Sequence, residues 1–476
     1  MKTIKLARNM VCVALVGSMA LLSAACRKNA ESGSSYTYSE YYIEDDSGDN
    51  NADGNGVGGN SGSGNNNDKN SSSANSNAHN SQSGKTDSGN SEKKNSTVKV
   101  LVWYDVPKRE SSVADAFTKS KGYKVQFVKT SLNNYQTKLA SLVASGSAPD
   151  CAAILGETYP STVIRGLYEP LSSDFDLKNN IWDQGLIEQY KWSGEYYGVV
   201  AKGSMFGDMY CVYFNKTLFD ERGEKTPYQI WKEDSNAWTW TKFREVAKSM
   251  THGTGDNKKY GFSISAPSTF MLSTGKDFVN VSGNTIINTS NDGDVRKAWK
   301  FFNDMLDNDG TCDRSNSSKA DLINRKAAMF VAGQWMMQSD NEFSKQMKDE
   351  WGVAPFPKAD ISSTYYVPFR VVLWGVGKGA KNSKGAAEFL KYWLNPANEV
   401  SDVYANAECR EVHKWMWQQA KGNNFSEGVL AFGAPGLQSE LISKVTGGSE
   451  KVDSELDSRK GQIDAAIKVV LGEIKG

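Results

Sequence analysis

The sequence predicts an α/β fold, a mostly parallel sheet covered by helices on both faces and divided between two lobes, on three grounds. Strand-like and helix-like segments alternate from Val98 onward, the pattern of sheets whose strands are joined by helical crossovers. The body that contains them runs to about 380 residues, more than one hydrophobic core usually supports. The stretch before it carries too few apolar residues to fold at all.

The elements follow in order. Val98-Lys99-Val100-Leu101-Val102-Trp103-Tyr104 is a β-branched and aromatic run and reads as a buried strand. Ser112 to Lys121 suits a helix. Tyr123 to Val128 alternates apolar and polar residues as a second strand, and Asn134 to Ser145 sets Leu139, Leu142 and Val143 on one helical face. This βαβα opening is the start of the first lobe.

Ahead of the body lie two segments of different character. Lys2, Lys5 and Arg8 precede an apolar run from Met10 to Leu22, the layout of a secretory signal. That run is about 13 residues, and a helix needs about 20 to span a bilayer. It ends in Leu22-Ser23-Ala24-Ala25-Cys26, which resembles the lipobox of bacterial lipoproteins, with Ser23 where the usual leucine stands. Cleavage after residue 25 and lipidation of Cys26 are expected; plain secretion is the alternative. From residue 26 to 97 the chain is rich in Asn, Ser and Gly, as in Asn55-Gly56-Val57-Gly58-Gly59-Asn60, and about 70 residues of flexible coil reach roughly 45 Å. This segment reads as a tether.

Lysine and arginine total 55 and aspartate and glutamate total 55, so the charge balance points to no nucleic-acid partner. Six cysteines without a CxxC pair and three scattered histidines, His79, His252 and His413, argue against a zinc cluster, and no metal or cofactor is expected. Cys151, Cys211, Cys312 and Cys409 read as buried thiols, although export would permit a disulfide.

Several segments together resemble the extracellular solute-binding proteins of ABC importers, of the maltose- and oligosaccharide-binding type. These are Ala144-Ser145-Gly146-Ser147-Ala148-Pro149-Asp150, Tyr168-Glu169-Pro170-Leu171 and Glu195-Tyr196-Tyr197-Gly198-Val199, where Val200 replaces a proline. Tyr213-Phe214-Asn215-Lys216-Thr217-Leu218-Phe219, Thr239-Trp240-Thr241-Lys242-Phe243, Lys326 to Trp335 and Trp351 to Pro357 extend the likeness through most of residues 98–476. The resemblance implies a two-lobed periplasmic-binding-protein-like fold of type II, with a ligand cleft between lobe 1 (98–209 and 365–400) and lobe 2 (210–364 and 401–476). It further implies a monomeric receptor that closes its lobes around a carbohydrate by hinge motion and, in the closed form, passes it to ABC permease subunits served by a separate ATPase. The sequence holds no Gly-x-x-x-x-Gly-Lys-Ser/Thr motif of its own.

Sugars offer hydroxyls around rings with C–H faces, so their sites combine aromatic platforms and a few fixed polar groups. By resemblance, Trp335 is a stacking tryptophan, with core packing as the other reading, while Trp240 is packing. Glu157 and Asp208 stand at the spacing of acidic ligand-binding residues in maltose-type proteins, or are exposed loop carboxylates. Tyr104 and Asp105, on the first strand-to-helix loop, are expected to face the cleft. Trp374, and Trp415 or Trp417, are further stacking candidates, the latter pair alternatively packed on lobe 2. Arg370 either binds an acidic sugar or pairs with a carboxylate. An extracellular glycosidase would also want cleft carboxylates, but the importer-like segments fill the body and no Gly-x-Ser-x-Gly elbow occurs. A surface adhesin or sensor binding the same ligand is the remaining alternative.

Overall fold

The computed structural model describes residues 96–313, 317–399, 402–422 and 424–473. The leader, Cys26 and the tether as far as residue 95 lie outside the described residues, and Thr97, expected to end the tether, already belongs to the first strand. The first half of the fold is built on β1 (Thr97–Val102), β2 (Lys124–Lys129) and β3 (Cys151–Leu155), with β1 central and parallel to both neighbours. Their crossovers are α1 (Lys108–Lys121) and α2 (Tyr135–Ala144). α1 starts four residues before the expected Ser112, because Pro107, extended at φ −67° and ψ 159°, caps it and accepts the Ser111 N–H at 3.0 Å. Short strands β4 (Tyr168–Glu169) and β5 (Gly198–Val199) follow.

β6 (Gly207–Asn215) begins the second half, which adds β7 (Tyr260–Ile264), the hairpin β8 (Val279–Ser282) and β9 (Thr285–Asn288), β10 (Ala327–Gly333) and β11 (Trp351–Pro355). After β12 (Tyr366–Val367), β13 (Phe369–Gly377) returns to the first half, and β14 (Ala420–Lys421) pairs with β12. The longer helices after β6 are α3 (Trp240–Met250), α4 (Gly293–Asp307), α5 (Ser383–Trp393), which packs on α1 of the first half, α6 (Ala407–Gln418), α7 (Ser426–Gly433), α8 (Leu437–Val445) and α9 (Val452–Leu471).

The strands order as β2-β1-β3-β13-β6-β10-β7. β6 and β13, nine residues each and buried throughout, join the halves. β13 pairs with β3 through Val372–Gly375 and with β6 only through Phe369–Val371, while β6 turns its remaining length to β10 and β11. All of these pairings are antiparallel, so the sheet is mixed rather than mostly parallel. The reason is geometric: a chain that crosses to a second lobe and comes back must run the joining strands in opposite directions. The result is two α/β lobes hinged on β6 and β13.

The described residues after α5, as far as Glu399, also lie at the junction. There the Arg109 guanidinium of α1 donates to Glu399 at 3.1 Å and to the Gln338 side-chain oxygen at 3.2 Å, with Asp340 at 3.7 Å and Glu110 at 3.3 Å. Gln338 and Asp340 follow β10 in the second half, so this arginine ties the lobes together. Cys151, Cys211, Cys312 and Cys409 are all buried free thiols. Among the described residues, no helix is long and apolar enough to cross a membrane, and no cluster of His, Cys, Asp and Glu suits a metal.

Candidate ligand-binding site

Where β6 and β13 pair, register sets Asp208 opposite Arg370. Both side chains are buried, at 3% and 7% exposure, and Arg370 donates from Nε and Nη2 to Asp208 Oδ2 at 3.0 and 2.6 Å. An ion taken out of water costs several kcal/mol, about 3 or more if left alone, which makes such pairing close to obligatory. The third edge of the guanidinium reaches Glu427 Oε2 on α7 at 3.4 Å. Burial opposes the arginine's charge, yet Tyr210, Asp208, Glu157 and Glu427 hold it protonated well above its ordinary range.

Glu157 joins this group from the turn Gly156–Thr158 that ends β3. It does so because Gly156 has no side chain: a Cβ there would lie 2.7 Å from Arg370 Cγ and 2.7 Å from the Val371 carbonyl oxygen. Burial raises the Glu157 carboxyl; Arg370 pulls it back down and Asp208 pushes it up further. Glu427 is pushed up to about 7, first by burial and then by Glu157 and Asp277, against the pull of Arg370. Trp335, half-buried in the turn Gln334–Met337, belongs to the same corner. A Cβ on Gly333 would meet Asp208 Oδ1 at 2.4 Å and the Trp335 ring at 2.8 Å, so carboxylate and indole flank that glycine.

Four of the sequence-derived candidates, Glu157, Asp208, Trp335 and Arg370, therefore converge at the junction of the lobes. Trp417, on α6, lies beside them: its ring meets the edge of Phe369, the neighbour of Arg370, at 5.8 Å. Its Nε1 donates to His413 Nε2 at 3.0 Å, and the Lys421 ammonium stands 4.9 Å over its face. Tyr104 is half-buried and donates from its hydroxyl to Glu110 Oε2 at 2.7 Å.

Two candidates are placed otherwise than expected. Asp105 extends to solvent, its side chain 86% exposed and paired with Lys129 at 2.5 Å, because an isolated carboxylate with no buried donor stays hydrated. Trp374 offers no platform: it is 1% exposed in an aromatic cluster with Trp103 at 6.0 Å, Phe206 at 5.3 Å and Trp393 at 4.9 Å. β13 is buried on both faces, so its tryptophan is core. Trp240 is buried as well and donates to Ser273 Oγ at 3.0 Å.

Sequence reasoning missed Glu427, which sits in the first turn of an unremarked helix, and Asp277, which accepts the Phe425 and Ser426 N–H groups at 2.8 and 2.9 Å and so fixes that helix. It also missed Gln334, fully buried, which accepts the Met209 N–H at 2.9 Å and donates to the Ser204 carbonyl at 3.1 Å. A glutamine between Gly333 and Trp335 in an otherwise apolar strand end was the available signal. A larger surface hollow of about 530 Å³, between the helix Pro227–Glu233 and α6, shares no residue with this group.

Comparison with known proteins identifies the family and the fold. Residues 112–402, more than half of the 476, match the family described as bacterial extracellular solute-binding protein. The chain belongs to that family. Among functionally curated proteins none matches it significantly. The solute-binding fold is seen in the galacto-N-biose-/lacto-N-biose I-binding protein of Bifidobacterium longum in complex with lacto-N-biose (TM-score 0.60, 16% identity, 79% of this chain and 98% of that one). It is seen also in the extracellular solute-binding protein of Staphylococcus aureus in complex with maltose (0.59, 15%, 81% and 100%) and in an ABC substrate-binding protein of Listeria monocytogenes in complex with cycloalternan (0.59, 17%, 78% and 98%). These are binding proteins, not enzymes, and at such identity the likeness is one of fold.

Proposed function

We propose that this solute-binding protein encloses an oligosaccharide between its lobes, 98–209 with 365–400 and 210–364 with 401–476, and delivers it unchanged to an ABC permease. The observation that carries this is the meeting of Glu157, Asp208, Arg370 and Trp335 where β6 and β13 cross between the halves. Carboxylates and a fixed guanidinium suit paired hydroxyls, and the adjoining indole suits the C–H face of a ring. The saccharide complexes of similarly folded proteins support the substrate class. Lipidation at Cys26 and the 26–97 spacer would hold the receptor on the outer face of the cytoplasmic membrane.

A thermal-shift screen of the purified full-length chain tests the substrate. An oligosaccharide present at about 100 times its Kd adds about 2.7 kcal/mol to stability and raises Tm. Shifts from peptides or polyamines with none from any sugar would refute the assignment, and product formed on prolonged incubation would refute binding without turnover. The anchor is tested separately: Cys26→Ala should release the protein from the membrane fraction, and retention there would mean that something else holds it.

A further inference from the structure

The group around Arg370 has more acid than base. Three carboxyls, Glu157, Asp208 and Glu427, share one guanidinium, and a fourth, Asp277, lies near Glu427. They are not served equally. Asp208 takes two guanidinium bonds, and Asp277 is occupied by the backbone N–H groups of Phe278, Phe425 and Ser426. Glu427 has one contact with Arg370, long at 3.4 Å, and Glu157 makes no ion pair among the described residues within 4.0 Å. A second observation points the same way. Gln438, on α8, is 7% exposed and its side-chain oxygen finds no donor among the described residues. It lines one crevice with Tyr210, Ser268, Arg370, Asn424 and Glu427. A buried acceptor without a donor costs about 1–3 kcal/mol, and carboxyls crowded without counter-charge are driven toward protonation.

From these we infer that the solute is a cationic saccharide, an amino sugar whose ammonium donates to Glu427, Glu157 and the Gln438 oxygen while Arg370 remains engaged with Asp208. The inference rests on the saccharide reading of the cleft and narrows it. An ammonium has three donors and no acceptor, which matches a corner furnished with two carboxylates and an amide oxygen. A neutral sugar hydroxyl would leave the charge imbalance uncorrected. An acidic sugar would compete with Asp208 and Glu427 for the one arginine. The groups facing Glu427 are Arg370 from β13, Glu157 from the turn after β3 and Asp277 from the loop before β8, with Tyr210 of β6 lining the same crevice and Asp208 of β6 on the far side of Arg370. Because Glu427 titrates near neutrality, an arriving ammonium displaces a proton from this group to solvent, and capture strengthens as pH rises toward about 7.

Titration calorimetry on the full-length chain, with the β-1,4-linked glucosamine dimer, its N-acetylated counterpart and maltotriose as probes, decides the matter. The glucosamine dimer should bind at least about tenfold more tightly than either neutral sugar at about pH 7, with release of protons and a smaller advantage at about pH 5.5. Glu427→Gln should bring the ratio between the two dimers toward one. The pH comparison needs no variant, so it stands even if that substitution disturbs folding. A neutral sugar bound as tightly as the amino sugar, or a preference that neither pH nor Glu427→Gln alters, overturns this inference and leaves the oligosaccharide reading intact. Binding of none of the three, with peptides or polyamines bound instead, overturns both.

Discussion

Glu110 is a carboxyl whose burial can be read in solution. It is pushed from an ordinary value of 4.5 up to about 7, by burial first, although Arg109 and the Tyr104 hydroxyl pull it down. The unfolded chain ionises it near its ordinary value, so between about 4.5 and 7 the folded state holds the extra proton and stability falls as pH rises. At about 1.4 kcal/mol per unit, the window amounts to roughly 3 kcal/mol. Glu110→Gln does not titrate, and in urea unfolding its stability relative to wild type should climb by about that much from pH 4.5 to 7; a flat difference would place Glu110 in water. At this scale the sequence was legible where register or a missing side chain dictates contact. Asp208 faces Arg370 because the strands pair, and Glu157 feels the charge of both because Gly156 makes room for its turn beside them. Trp374, a stacking candidate beside Gly375 in an expected return strand, is core instead, because Phe369 to Gly377 is apolar apart from Arg370, the mark of a strand covered on both faces. Glu427 and Gln438 carried no local signal, since what brings them to Arg370 is the packing of helices remote in sequence.

Among the elements, α7 is held unusually close to the first half. A Cβ on Gly428 would stand 1.9 Å from the Tyr159 carbonyl oxygen, and Ser161 donates from its hydroxyl to the Gly428 carbonyl oxygen. The helix carries Glu427 one residue earlier, so its seat sets where that carboxyl lies. Gly428→Ala should cost about 1–3 kcal/mol in urea unfolding and weaken ligand capture with it; unchanged capture would mean that the position of α7 does not govern the site. The opening β1-α1-β2-α2 was readable from periodicity to within a few residues, because each element is amphipathic or fully apolar over its own length. The directions of β6 and β13 were not, since strand polarity within a sheet depends on which lobe the chain visits next. That information lies in the connections, not in any one segment.

For the molecule as a whole, Arg109 is the clasp between lobes, its side chain 8% exposed and in contact with Glu399, Gln338 and Asp340. Truncation leaves Glu110 and its neighbours without their cation, a loss of about 3 kcal/mol. Arg109→Ala should therefore enlarge the radius of gyration of the ligand-free protein in X-ray scattering and reduce the fraction of closed molecules. A profile identical to wild type would mean that β6 and β13 alone set the hinge. The existence of two lobes was foreseeable from chain length and from the family resemblance; this clasp was not, because its partners are over two hundred residues apart.

The seating of α7 against the first lobe, with α8 packed on α7, bears on how such a protein comes into being. A chain made and exported from its amino end presents Glu157 and Asp208 early, but the corner they form stays unfinished until residues 424–438 have followed. With the site proposed above, fragments that stop short of that point would have the first lobe's strands and no grip on a solute. Receptors interrupted during synthesis or clipped near α7 would then be silent, and would not hold nutrient that they cannot pass on.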